Sequence, residues 1–215
     1  MNDETVRLLR EAAEWRLIAM LLECPGEGWQ AQLAKLAAET GDSGLKSATE
    51  AAREEAAASL YDTTFGPGGP APAREVSYHG DILPGQLMGE IRGFYQAFAY
   101  EPSAPEAPDH VAVEAGFVAY LRLKQAYAIE RGDDAQAAVT ADAARRFIDD
   151  HLNCIAEPMA KSLTACGIPY LGLAADALLH RAGPRRSVPD LDQAAAVEGP
   201  NSCPSQAACN CAVKE

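Results

Sequence analysis

Apolar residues recur at steps of three and four along most of the first 183 positions. In the opening segment Val6, Leu9, Ala13, Leu17, Met20 and Leu21 keep that spacing, which marks the buried face of a helix. Asn2 or Asp3 can cap its start, and Pro25-Gly26 stops it after Cys24. The same reading predicts helices over 29–39, 43–63, 86–100, 109–131, 135–152 and 168–180. Gly41-Asp42 and Gly132-Asp133 break the pattern between them, and Pro158 is predicted to kink or interrupt any continuation of the sixth helix toward Ala165. In the fifth, Val113, Phe117, Tyr120 and Leu121 fall on one face. No alternation of strand period runs far enough to matter, and no internal repeat stands out. The expected fold is all-α: a single compact bundle of about seven helices over residues 1–183.

Two stretches depart from this rhythm. FGPGGPAPAREVSYHGDILPG, residues 65–85, holds too many glycines and prolines for a helix interior. It reads as a long ordered loop, and such loops inside compact domains are often functional. No Gly-Lys-Ser/Thr follows its glycines, so it is not a phosphate-binding loop. A Pro-rich link covers 102–108. Beyond Gly183 the periodicity is lost, and residues 184–215 are expected to be a disordered tail.

Composition narrows the function. The 215 residues suit one domain, and 48% hydrophobic against 23% charged residues is ordinary for a globular core. A formal charge of −13 with no basic stripe argues against a nucleic-acid binder and favours partners that carry positive charge. The N-terminus has acids among its first residues and no basic-then-apolar signal, and no run approaches the roughly 20 apolar residues of a membrane span. Arg145-Arg146 and Arg185-Arg186 lie too far along the chain to be its own export signal. A cytoplasmic protein without stable membrane insertion is expected, its six cysteines present as thiols.

Several residues are candidates for chemistry. Asp109-His110 follows a proline at a helix start. Asp109 there reads as an N-cap, with His110 half exposed in the first turn. Glu114 lies four residues on, within reach of His110 on one helix face. These three would be the acid–base groups of a small hydrolase, although no nucleophile accompanies them in the sequence. His151 and Cys154 form His-x-x-Cys on a helix, but two ligands do not close a zinc site and a packed interface is the plainer reading. Cys203, Cys209 and Cys211 cluster in the tail and are candidates for a thiol-based metal or redox sensor, or simply for oxidation-prone thiols. Tyr61, Phe65 and Tyr78 flank the Gly/Pro loop. They either pin it down or line an apolar groove for a peptide.

Four segments, in order, resemble the TorD/DmsD/NarJ family of molybdoenzyme maturation chaperones, over about Trp15 to Leu179. YDTTFGPGGPAP is similar to an aromatic-x-x-x-Phe helix end running into a Gly-Pro loop. EVSYHGD is followed by LMGEIRGFY. EAPDHVAVEAGFVAYL resembles the family's Glu-Pro-Asp-His loop entering a helix. HLNCIAEPMAKSLTACGIPYLGLAADALL resembles its last two helices. Departures are Ala107 where the family places a glutamate, with Glu106 one place earlier; Thr64 in place of a leucine; and no tryptophan after His151-Leu152, with Ile155 nearby.

The resemblance implies an all-helical chaperone with no turnover and no cofactor or metal of its own. Its partner would be the apo catalytic subunit of a molybdopterin-dependent oxidoreductase, bound through an N-terminal leader of the twin-arginine type, so that cofactor insertion precedes export. The chain would be a monomer or weak dimer. Asp109 and His110 match the family's leader-binding pair, Tyr61 and Phe65 its junction aromatics, and Tyr78 an aromatic of the loop. Glu114 completes the set expected to face the client.

Overall fold

Helix α1 (Asp3–Leu21) starts where the Asn2 side chain accepts the Thr5 amide at 2.7 Å, with Asp3 and Glu4 favourably placed in the first turn. Leu8, Ala12, Trp15 and Ile18 lie on its buried face, which continues to the cap at Leu22; of the face read from the sequence, Leu17, Met20 and Leu21 are buried, while Val6 is exposed and Leu9 and Ala13 are half-buried. The computed structural model describes residues 1–80, 82–102 and 105–185. Within them follow α2 (Trp29–Glu39), α3 (Ser43–Glu55), α4 (Ala58–Phe65), α5 (Pro84–Ala97), α6 (Val111–Glu130), α7 (Asp134–Phe147), α8 (Asn153–Ala165) and α9 (Pro169–Ala182). The fold is all-α, as the periodicity predicts, and no helix among the described residues is long and apolar enough to cross a membrane.

The described residues hold nine α-helices rather than about seven because two predicted helices are divided. The 43–63 segment breaks at Ala56-Ala57, where the backbone is extended. Alanine is the best helix former, so nothing in the local sequence explains the break. The predicted 135–152 helix passes into a π-helical turn over Ile148–Leu152 and then continues as α8. Pro158 lies inside α8 without ending it; the irregularity sits upstream, in a turn type often found at functional sites.

Helix α6 is the centre. Every residue from Val111 to Ala119 is buried, not the single face predicted. It packs against α1 and α7, while α9 packs against α3 and α8 and also touches α1. Arg181 on α9 reaches Glu14 of α1 and Asp42 at the cap of α3, each at 2.9 Å. The Asn153 amide bonds the carbonyls of Ala182, Gly183 and Pro184, satisfying the exposed end of α9. Residues 186–215, with Cys203, Cys209 and Cys211, lie outside the described residues, and so does the expectation of a disordered tail.

The Gly/Pro loop turns tightly after α4. A Cβ on Gly66 would meet the Asp62 carbonyl at 2.3 Å, and one on Gly69 the Thr64 carbonyl at 2.3 Å, so both positions demand glycine. Thr64 itself is buried and donates its hydroxyl to the Leu60 carbonyl at 2.8 Å, which accommodates a polar residue there. The loop then forms a single 3-10 turn, Glu75–Tyr78, which contacts α8.

Candidate functional site

The 3-10 turn is stitched to the entrance of α6. The Val111 amide donates to the Ala73 carbonyl at 2.8 Å, and the Glu75 amide donates to the Asp109 carbonyl at 2.8 Å. Arg74 and His110 form an isolated antiparallel bridge. This pairing corrects the expected cap. Asp109 is fully buried and turned toward the loop: Arg74 grips its Oδ1 through Nε and Nη2, both at 2.9 Å, and the Val76 amide lies 3.5 Å from Oδ2. The cap is His110 instead, whose Nδ1 accepts the Ala112 amide at 3.1 Å. It is 3% exposed, not half exposed.

Those bonds fix the imidazole. Since Nδ1 accepts from a backbone N–H, the ring proton of neutral His110 is on Nε2, which donates to the Tyr61 hydroxyl at 2.8 Å. The Tyr61 hydroxyl in turn points its proton toward Glu106 Oε1 at 3.4 Å. Glu106 therefore reaches the aromatic pair although Ala107 occupies the position where a glutamate was expected. Burial pushes the His110 pKa below its ordinary 6.5; Glu106 and Asp109 oppose that, and Arg74 adds to it. Burial, then Glu106, raises the pKa of Tyr61.

A pH dependence follows from the sign of that shift. A histidine whose folded pKa is depressed costs nothing above its unfolded pKa of about 6.5; as pH falls from there the unfolded chain takes up the proton first, and stability is lost until the folded value is passed. The melting temperature should thus fall on the acid side of about pH 6.5. His110→Asn keeps a capping oxygen and removes the titration, so part of that acid slope should vanish. Thermal melts of both proteins across pH check this, and parallel curves would sink it.

Tyr61 stacks at 5.1 Å on Phe65, one turn along α4, and both rings are half buried. On the far side of Glu106 lies a cavity of about 200 Å³ lined by Arg16, Glu23, Cys24, Glu27, Trp29 and Glu106 among others. Arg16 lies 3.7 Å from Glu23, leaving the lining net acidic. Burial raises the Glu23 pKa, Arg16 lowers it and Glu106 raises it further. The structure thus brings together Tyr61, Phe65, His110 and Glu106, with Asp109 behind them.

Tyr78 and Glu114 lie elsewhere. The Tyr78 hydroxyl donates to the Pro72 carbonyl at 2.6 Å, and its carbonyl accepts from Arg185 at 3.3 Å, so Tyr78 pins the loop. Glu114 is fully buried, and it meets His110 only through the backbone, its amide donating to the His110 carbonyl at 3.0 Å. The four-residue spacing holds for the backbone, but the His110 ring turns back to cap the Ala112 amide and reach Tyr61, so the two side chains part. The Glu114 carboxyl lies beside Glu75 instead; burial, then the Glu75 charge, raises its pKa well above the usual range, and neither of its oxygens has a hydrogen-bond partner among the described residues. Glu75 holds His79 at 2.8 Å and His151 at 3.1 Å. The trio of the hydrolase alternative is therefore split three ways: Asp109 on Arg74, His110 on Tyr61, Glu114 beside Glu75.

Arg74, Glu75 and His79 are the site residues that sequence reasoning misses. The available signal was slight: an Arg-Glu pair in a loop with little other charge, and a histidine four residues after the glutamate.

Comparison with known proteins adds one finding. The family model described as nitrate reductase delta subunit matches residues 23–159, more than half of the chain and the whole of the site just described except parts of its flanking helices. No curated protein matches the chain.

Proposed function

Because the chain belongs to the nitrate reductase delta subunit family, a family of molybdoenzyme maturation chaperones, we propose that it binds the N-terminal, twin-arginine-type leader and the apo form of a molybdopterin oxidoreductase catalytic subunit. It acts in the cytoplasm, without turnover, assisting cofactor insertion and delaying export until the client is assembled. The observation that carries this reading is the juxtaposition of two surfaces. Tyr61 and Phe65 offer half-buried aromatic area. Beside them, joined through Glu106, lies the cavity lined by Glu23, Glu27 and Glu106. A leader that is cationic and then apolar matches both in sequence.

Asp109 takes an indirect part in this reading. Its charge is spent on Arg74, and it holds the loop and His110 in place. The arginine contact falls to Glu106 and its neighbours, which retain access to solvent through the cavity.

Calorimetric titration with a leader peptide, at low and high salt, tests this. Glu106→Gln should weaken binding at low salt by about 1 kcal/mol, roughly fivefold, and by less at high salt, where screening already removes part of the attraction. Tyr61→Ala should weaken it at either salt. A folded chain that binds neither the leader nor the apo client overturns the proposal.

A further inference from the structure

We propose that Glu75, His79 and Cys154 form a binding site for a zinc-class divalent cation, clasping the Gly/Pro loop to α8. The three side chains come from two distant parts of the chain. Glu75 and His79 stand at the start and just past the end of the 3-10 turn, and Cys154 lies in the first turn of α8, directly after the π-helical turn. One donor atom from each lies within 4.8 Å of the others.

The spacing fits the ion. Zinc bonds run about 2.3 Å to sulfur, about 2.0 Å to imidazole nitrogen and about 2.0 Å to carboxylate oxygen. In a tetrahedron those lengths set sulfur–nitrogen and sulfur–oxygen edges of about 3.5 Å and a nitrogen–oxygen edge of about 3.3 Å. Here Cys154 Sγ is 3.4 Å from His79 Nε2 and 3.5 Å from Glu75 Oε1. The third edge, His79 Nε2 to Glu75 Oε1, is 2.8 Å, a hydrogen bond. A cation needs only to open that edge by about 0.5 Å, a side-chain rotation, to sit against all three. A thiolate, an imidazole and a carboxylate together suit zinc or cobalt better than magnesium or calcium.

The surroundings orient the donors. His151 Nδ1 lies 3.1 Å from Glu75 Oε2 and 3.3 Å from Oε1, so Glu75 is held from behind by that ring. The backbone of Glu75 is tied to Asp109. Glu75 is fully buried, whereas the His79 side chain is 22% exposed and Cys154 is partly exposed. The fourth position therefore faces outward, toward water or a client group. On binding, the His79 ring proton, which Nε2 donates to Glu75 in the empty site, moves to Nδ1 through solvent and frees the Nε2 lone pair for the metal. The Cys154 S–H bond breaks as the sulfur–metal bond forms, and that proton leaves to buffer.

The test uses the full chain with Cys203, Cys209 and Cys211 changed to serine, so that the tail thiols cannot compete, alongside the unaltered chain. Cobalt(II) is added and its absorption followed, then displaced by zinc in calorimetry. The expected result is one ion per chain with a thiolate-to-cobalt charge-transfer band in the near ultraviolet. Cys154→Ser should abolish the band. His79→Asn, at the exposed edge where folding is least at risk, should weaken zinc binding by at least the ten- to hundredfold typical of outer-shell losses. Circular dichroism confirms that each variant is folded. A folded chain that yields no thiolate band, or a band that survives Cys154→Ser, overturns the site. Leader binding does not enter these readouts, so failure here leaves the chaperone reading standing, and the reverse.

Discussion

Phe117→Ala is expected to destabilise the protein by about 3–5 kcal/mol, the range for deleting a buried aromatic side chain. That is a large share of the roughly 5–15 kcal/mol holding a typical domain together. Phe117 is fully buried in the middle of α6. Its ring centroid lies 4.8 Å from Tyr95 and 4.8 Å from Phe147, 5.2 Å from Tyr100 and 6.2 Å from Phe98. One side chain thus joins α5, α6 and α7 and the link after α5. The hole left by truncation cannot close easily. Tyr95 is anchored by its hydroxyl to the Pro108 carbonyl at 2.8 Å, and Tyr120 and Tyr100 are tied to backbone carbonyls as well. Rigid walls keep the cavity open and push the cost toward the upper end. Pro108 directly precedes Asp109, so loosening Tyr95 should also slacken the Asp109–His110 entrance to α6, and with it the proposed leader site. Urea unfolding measures the stability change. A loss below about 1 kcal/mol would mean that the rings re-pack, contrary to the anchoring argument.

What the sequence disclosed, and what it withheld, follows the range of the forces involved. Helix periodicity reports burial on one face, and α1 and α9 are legible as helices for that reason, although the face read for α1 is one place off at Val6, Leu9 and Ala13, where Leu8 and Ala12 are the buried residues. Helix α6 was found but misread as one-sided, because small residues such as Ala112, Ala115, Gly116 and Ala119 let neighbours approach from every direction. The Ala56-Ala57 break has no local signal. The cap of α6 was misassigned for a tertiary reason. Local preference favours aspartate at an N-cap, but the Arg74 guanidinium and the bridge between Arg74 and His110 draw Asp109 one place out of that role. The segment order that carries the family resemblance survived because it rests on several short patterns rather than on one geometry. The cluster of Glu75, His79 and Cys154 was out of reach: its members are up to 79 positions apart, and only the packing of the 3-10 turn on α8 brings them together.

The second large effect concerns Asp109 and separates a charge that holds the site from a charge that touches the client. Asp109→Asn should lower stability by about 1–3 kcal/mol, the scale of a hydrogen bond to a charged group. The buried carboxylate has Arg74 as its counter-ion, and although Arg74 is 49% exposed, its Nε and Nη2 both engage Oδ1 at 2.9 Å. Asparagine keeps an acceptor for the Val76 amide but presents no charge to Arg74. Arg74→Ala should cost a comparable amount by stranding the carboxylate, with the half-exposed guanidinium keeping the loss below that of a fully buried pair. The two changes together should cost less than their sum, with a coupling of about 1 kcal/mol or more, since each removes the same interaction. The functional signature differs from that of Glu106. Leader affinity in Asp109→Asn should fall through loosening of residues 73–76 and His110, while its salt dependence keeps the wild-type slope. Glu106→Gln should flatten that slope while sparing stability. Melting temperature and leader affinity at two salt concentrations, measured on the four variants, decide between the roles. An Asp109→Asn protein of unchanged stability whose leader binding loses its salt dependence would place the Asp109 charge on the leader itself, and the pairing with Arg74 would then be broken whenever the client is bound.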